Sequence, residues 1–118
     1  LHSAIKVATP PQFHKGIEGV WSPEHLLTAA VNGCYMTTFL SIAENSKLQF
    51  LSFSCMAKGK LELVEGKFLI TEIFLEPVLH IQNESDRERA ERILQKSEAA
   101  CLISNSIKSK ITLSTTIN

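Results

Sequence analysis

Between Leu26 and Ala43, apolar or small residues fall on nearly every side of a helical wheel, among them Leu27, Ala30, Val31, Cys34, Phe39 and Ile42. That pattern predicts a helix buried on most faces, at the centre of the fold. It starts at Ser22-Pro23-Glu24, where Ser can cap, Pro suits the first helical position and Glu complements the positive end of the helix dipole. Ala29, Ala30 and Gly33 let another backbone come close, and Gly33, about 1 kcal/mol less favourable than Ala in a helix, marks a candidate break. From Leu51 to Leu63 the period drops to two. Leu51, Phe53, Cys55, Ala57, Gly59, Leu61 and Leu63 alternate with Ser52, Ser54, Lys58, Lys60 and Glu62, predicting a strand with one packed and one wet face. Glu65-Gly66 interrupts the run, and Lys67 to Ile81 resumes it with Leu69, Ile73, Leu75, Leu79 and Ile81 against Glu72, Glu76 and His80, a hairpin turning at Gly66. Pro77 inside the second strand implies an edge or a bulge. Ser85 and Glu88 read as a capping box, and Ala90, Ile93, Leu94, Ser97 and Cys101 continue as a second helix to about Cys101. Ile111, Leu113 and Ile117 alternate with Lys110, Thr112, Ser114 and Thr116 as a closing strand. Strand-like start, helix, hairpin, helix and strand make the class α+β, with a mostly antiparallel sheet packed on two helices.

At 118 residues the chain is read as a single domain, 1–118. Apolar residues are 44% and charged residues 20%, enough for a core with apolar surface left for a partner. Twelve basic residues balance twelve acidic ones, so no global field gathers nucleic acid or anionic lipid. Arg87, Arg89 and Arg92 are interleaved with Asp86, Glu88 and Glu91, the pattern of a solvated helix face. Asn32, Thr37, Thr38 and Ser41 interrupt the oiliest segment, so no membrane span is expected. Leu1-His2-Ser3 has neither the pattern of a secretory leader nor an initiator Met, which reads as a cytoplasmic protein with residues, and part of a first strand, lying ahead of Leu1. Cys34, Cys55 and Cys101 lack CxxC spacing, so the expectation is free thiols, with no disulfide framework and no zinc. His2, His25 and His80 read as surface residues rather than metal ligands, and Trp21 and Tyr35 as core or interface packing.

Composition alone makes each cysteine a small buried hydrophobe. Local sequence sets two of them apart: Trp21-Ser22-Pro23-Glu24-His25-Leu26-Leu27 leads through Ala29-Ala30-Val31-Asn32-Gly33 to Cys34, and Ala99-Ala100-Cys101-Leu102-Ile103-Ser104-Asn105-Ser106 surrounds the other. Together, from about Pro11 to Ile117, these segments resemble the OsmC/Ohr family of osmotically induced and organic-hydroperoxide-resistance proteins. The resemblance implies an intertwined α+β homodimer, cytoplasmic, with active sites at the subunit interface. It implies Cys34 as peroxidatic thiolate, Cys101 as resolving thiol and Glu24 as the acidic partner that orients a basic group. The activity it implies is reduction of small organic hydroperoxides through a Cys34 sulfenic acid, with an external dithiol as reductant and no metal or organic cofactor.

Ten residues of straight helix span about 15 Å and turn through roughly 1000°, so Glu24 and Cys34 cannot touch within one unbroken helix. Either the helix breaks near Asn32-Gly33, or Glu24 serves the Cys34 of the other subunit. A buried thiol also needs a cation or a helix N-terminus to ionise at neutral pH. Relatives use an Arg, in some ten residues before the Pro-Glu glutamate; here that place holds His14, beside Lys15, and no Arg precedes Arg87. Three readings follow: His14 or Lys15 substitutes, the Arg lies outside this chain, or the protein is an OsmC-like ligand-binding or redox-sensing protein without efficient peroxidase activity. Leu102 stands where many relatives have Pro, which changes the local shape around Cys101. Pro10-Pro11-Gln12-Phe13 is expected as an extended loop able to carry Phe13 and His14 over the Cys34 pocket.

Overall fold

The computed structural model describes residues 3–118, and His2 lies outside the described residues. Ser22 opens helix α1, Pro23–Asn45: its hydroxyl accepts from the His25 N–H, and the His25 side chain accepts from the Ser22 N–H. His25 is thus half of a capping box rather than a bystander. The helix runs unbroken through Gly33, because a single glycine weakens a helix without ending it when the surrounding turns are packed.

Only one stripe of α1, Val31, Tyr35, Phe39 and Ala43, is buried, whereas Leu40, Ala29 and Ala30 are exposed. The expectation of burial on most faces fails for a single chain: the sheet, α2 and α3 cover one side, and among the described residues nothing covers the other. The helix is also long and apolar enough to cross a membrane, with mean hydropathy 1.4 over eighteen residues, a length and composition that core helices share. Its packed stripe, together with a bond from the Asn32 side-chain amide to the Cys55 carbonyl at 3.0 Å, holds it to the sheet as a core helix.

Strands β1, Phe50–Val64, and β2, Lys67–Ile81, form the antiparallel hairpin. Glu65 and Gly66 both have positive φ, 50° and 79°, as a two-residue turn between twisted strands requires. The closing segment splits into β3, Lys110–Leu113, and β4, Thr116–Ile117, and both run parallel to β2, giving a mixed sheet with β2 in the middle. Pro77 is therefore on neither an edge nor a bulge; the register shifts lie at Phe50/Ser52 and Lys60/Leu61. The Leu75 and Leu79 carbonyls accept from Ser114 and Asn118. Pro77, between them on the same side of the strand, meets the gap where the chain leaves β3 for β4, so its missing N–H breaks no ladder bond.

The inward face of β2, Ile73, Leu75, Pro77, Leu79 and Ile81, is buried, but β1 packs only at Phe50, Phe53, Cys55 and Ala57. Leu51, Leu61, Leu63 and Leu69, expected inside, are exposed, together with Val64 and Phe68. The outer half of the hairpin projects past the helices. The radius of gyration, 16.3 Å, accordingly exceeds the roughly 13.5 Å of a compact chain of this length.

A 3-10 turn, Glu84–Asp86, precedes helix α2, Arg87–Ala99. The expected Ser85 capping box is absent: Asp86 is the N-cap, without a side-chain cap bond, and Glu84 instead pairs with Arg87. Nor is the arginine cluster only a solvated face. Arg89 donates to the Ser46 carbonyl at the end of α1, a helix with no basic residue in its last turn, while pairing with Asp86. A short helix α3, Leu102–Asn105, follows with Cys101 at its N-cap. Before α1, residues 3–22 carry an isolated parallel bridge, Val7 to Trp21, rather than the expected strand.

Candidate functional site

Cys34 lies midway along α1 on the side turned towards α3. Cys101, fully buried, meets it from the N-cap of α3, so two thiols sixty-seven residues apart come within hydrogen-bonding reach. Burial pushes the Cys34 thiol up, but the Ile103 N–H, the Cys101 thiol, the Thr38 hydroxyl and the Leu102 N–H outweigh it. Together they hold Cys34 below the ordinary thiol value. Each of these favours the anion, which accepts hydrogen bonds better than the thiol does. Cys101 moves the other way: burial raises it, the Ser104 hydroxyl and N–H pull it down, and its bond to Cys34 raises it again. Of the two, Cys34 is thus the thiol that gives up its proton more easily. Cys55, opposite Pro77 in the hairpin, is pushed up to about 11 by burial and stands outside this pair.

The other residues singled out from the sequence lie elsewhere. Asn32 and Cys34, two positions apart, point to opposite sides of α1, about 200° around the helix. Asn32, Thr28, Glu24 and His25 line a cleft of about 590 Å³ against Ala57, Gly59 and Ile70. A neighbouring cleft of about 720 Å³ takes in Glu24, Leu27, Phe68 and Ile107. Cys34 lines neither. With α1 continuous, Glu24 does not act on the Cys34 of its own chain. His14 and Lys15 are exposed on a tight turn closed by bonds from Phe13 to Pro10 and from Gly16 to Phe13. That turn does not cover Cys34. It folds onto the hairpin, where Phe13 meets Phe68 edge-on at 5.3 Å. Among the described residues no cation acts on the Cys34 sulfur, whose partners are neutral donors. Among the described residues, no group of three His, Cys, Asp or Glu is placed to hold a metal ion.

Of the packing residues, Tyr35 is buried and donates to the Leu94 carbonyl at 3.1 Å. Trp21 is half exposed, against the edge of His25 and lining the first cleft. Sequence reasoning passed over the groups that surround the thiols: Thr38, Ile103 and Ser104. Thr38 had a readable signal, since it stands four residues after Cys34, one turn along the same helix face.

The sequence pattern described as OsmC-like protein matches residues 16–116, through both cysteine segments and the helices that bring them together. The chain belongs to the OsmC-like family. Among similar proteins, this OsmC-like chain is 24% identical over 110 residues to the uncharacterized protein YmaD of Bacillus subtilis, an alignment covering 91% of this chain and 73% of that one. Its fold matches an OsmC-like protein of unknown function from Vibrio cholerae with a TM-score of 0.79 at 26% identity, over 92% of this chain and 73% of the other. It matches an organic hydroperoxide resistance protein from Elizabethkingia anophelis equally well, with a TM-score of 0.79 at 20% identity, over 97% and 79% of the two chains. The α+β fold of this OsmC-like chain is thus shared with hydroperoxide resistance proteins and with relatives of unassigned function.

Proposed function

We propose that this OsmC-like protein is a thiol peroxidase that reduces small organic hydroperoxides, with Cys34 as nucleophile and Cys101 as resolving thiol. The observation that carries the reading is the meeting of Cys34, held below the ordinary thiol value, with a second thiol that is pushed above it. The Cys34 thiolate attacks the peroxide's terminal oxygen, the O–O bond breaks, and the alcohol leaves with a proton from solvent. The Cys34 sulfenic acid then condenses with the Cys101 thiol, forming a disulfide and water. An external dithiol returns both sulfurs to the reduced state. Apolar neighbours, Ile103 among them, favour organic over hydrogen peroxide.

The working unit of this reading is a cytoplasmic homodimer. The uncovered side of α1 and the projecting hairpin carry the apolar surface that a second copy would bury, and Glu24, which serves no thiol in its own chain, is left for the partner's. A second reading rests on a specific observation: the sulfur has no cationic partner among the described residues. On that reading the protein binds a small apolar ligand or senses redox state without efficient turnover.

Intact mass and free-thiol counting after one equivalent of cumene hydroperoxide separate the two, with Cys34→Ser and Cys101→Ser proteins alongside. The peroxidase reading expects rapid loss of two thiols to a Cys34 to Cys101 disulfide, and a trapped sulfenic acid in Cys101→Ser. A Cys34 that stays reduced while free cysteine at the same concentration oxidises would leave the ligand-binding reading.

A further inference from the structure

We propose that Asn105 is a positioning residue for the resolving step: its side chain and its N–H clasp the main chain around Cys101 and fix where that thiol meets Cys34. The inference rests on the peroxidase reading above and adds to it a group outside the thiol pair. The Asn105 carboxamide donates to the Ala99 carbonyl at 3.0 Å, and its backbone N–H donates to the Cys101 carbonyl at 3.1 Å. Ala99 is the last residue of α2, where a carbonyl has no partner within the helix. Neighbouring side chains bond more locally. Ser97 donates to the Ile93 carbonyl at 2.7 Å and Ser106 to the Leu102 carbonyl at 2.8 Å, each one turn back along its own backbone. Asn105 instead reaches six residues back, out of α3 and into α2, and Cys101 lies inside the loop it closes.

A helix of four residues does not hold its place by its own bonds. Here two hydrogen bonds relate Cys101 to Cys34. Tyr35, next to Cys34, holds α2 through the Leu94 carbonyl at 3.1 Å, and Asn105 holds α3 to the end of α2. Within the clasp the Cys101 N–H donates to the Glu98 carbonyl at 3.2 Å, so both its main-chain groups are engaged, while its side chain makes no cap bond. The backbone is fixed and the sulfur is left for chemistry. In the resolving step the Cys101 sulfur bonds to the Cys34 sulfur, the S–O bond of the sulfenic acid breaks, and its hydroxyl leaves as water with the Cys101 proton. The oxidising equivalents came from the peroxide in the step before. A disulfide tolerates only Cα separations of about 4.4–6.8 Å, and a thiol kept within that range reacts far faster than one that wanders.

The test uses the full chain in two arms. In mixtures of oxidised and reduced glutathione, without peroxide, Asn105→Ala should move the Cys34 to Cys101 couple roughly three- to tenfold towards the dithiol, a potential up to about 30 mV less negative. Asn105→Asp, which keeps the shape but has no amide N–H, should move it the same way. Ser106→Ala, which removes a bond to α3 but leaves the clasp, should not move it. With cumene hydroperoxide, Asn105→Ala should lose the Cys34 thiol at the unaltered rate while its dimedone-trapped sulfenic acid rises several-fold. A glutathione equilibrium indifferent to Asn105→Ala, or moved as far by Ser106→Ala, overturns the proposal. A protein that consumes no peroxide yet shows the Asn105 shift loses the peroxidase reading and keeps the clasp.

Discussion

The backbone N–H of Leu102 is one of the groups that hold the Cys34 thiol below its ordinary value. Leu102 is the first residue of α3 and its side chain is 68% exposed, so the main chain is what this position contributes to the site. Proline suits a first helical position, but it has no N–H to give. Leu102→Pro should therefore leave the fold intact, raise the pH at which Cys34 ionises and slow its reaction with cumene hydroperoxide several-fold. Leu102→Ala should change neither. The pH profile of Cys34 alkylation by iodoacetamide measures both, and equal behaviour of the two variants would remove the Leu102 N–H from the site.

Cys55 gives the protein an alkaline limit. Its thiol is raised from 9.0 to about 11 in the fold, so the folded state holds this proton more tightly than the unfolded chain does. The stabilisation is complete below the unfolded value and is lost as pH rises from about 9 through 11. Cys55→Ala should flatten that part of the profile of urea midpoint against pH, leaving the alkaline loss due to Cys101 and Tyr35, both of which burial also raises. An unchanged profile would count against burial as the cause.

Tyr35 joins the two helices through one bond, its hydroxyl donating to the Leu94 carbonyl at 3.1 Å from a fully buried position. Tyr35→Phe leaves that carbonyl without its partner and should cost about 1–2 kcal/mol. Urea unfolding at neutral pH measures the loss, and a value near zero would mean that water or a shift of α2 replaces the bond.

Gly16 is fixed by space rather than by backbone angle. A β-carbon there would stand 1.8 Å from the Pro10 carbonyl oxygen, inside the turn that carries Phe13 onto Phe68. Gly16→Ala should open this turn and release Phe13 while α1 and the sheet persist. Proteolysis between residues 10 and 20, faster than in the unaltered chain with little change in the main unfolding transition, is the expected result.

The hairpin was legible because its period of two and its Glu65-Gly66 turn are local properties, and the α1 start because Ser22-Pro23 is a local signal. The position of Pro77 was not. Its meaning depends on a break between β3 and β4, two strands distant in the chain that lie along one side of β2. Burial along α1 was overestimated because apolar composition measures all the surface a helix would hide, while one chain covers a single stripe of it. The thiol pair was reachable only through the family resemblance, since no spacing rule brings residues 34 and 101 together. The groups around it were hidden further by α3, a helix of four residues too short to leave a periodic signature. Ser85 misled because a capping box there requires the helix to start at Asp86, one residue before its actual start at Arg87, and Glu84 had already engaged Arg87.

Between Cys34 and Cys101 the chain runs through the second half of α1, the whole hairpin and all of α2. A bond joining the two sulfurs would close this span into a ring and deny the unfolded chain the separations it would otherwise explore, a restriction worth roughly 4 kcal/mol at that length. Catalytic oxidation would then also staple most of the protein. The oxidised form would resist unfolding more than the reduced one, so a melting curve could serve as a meter of redox state.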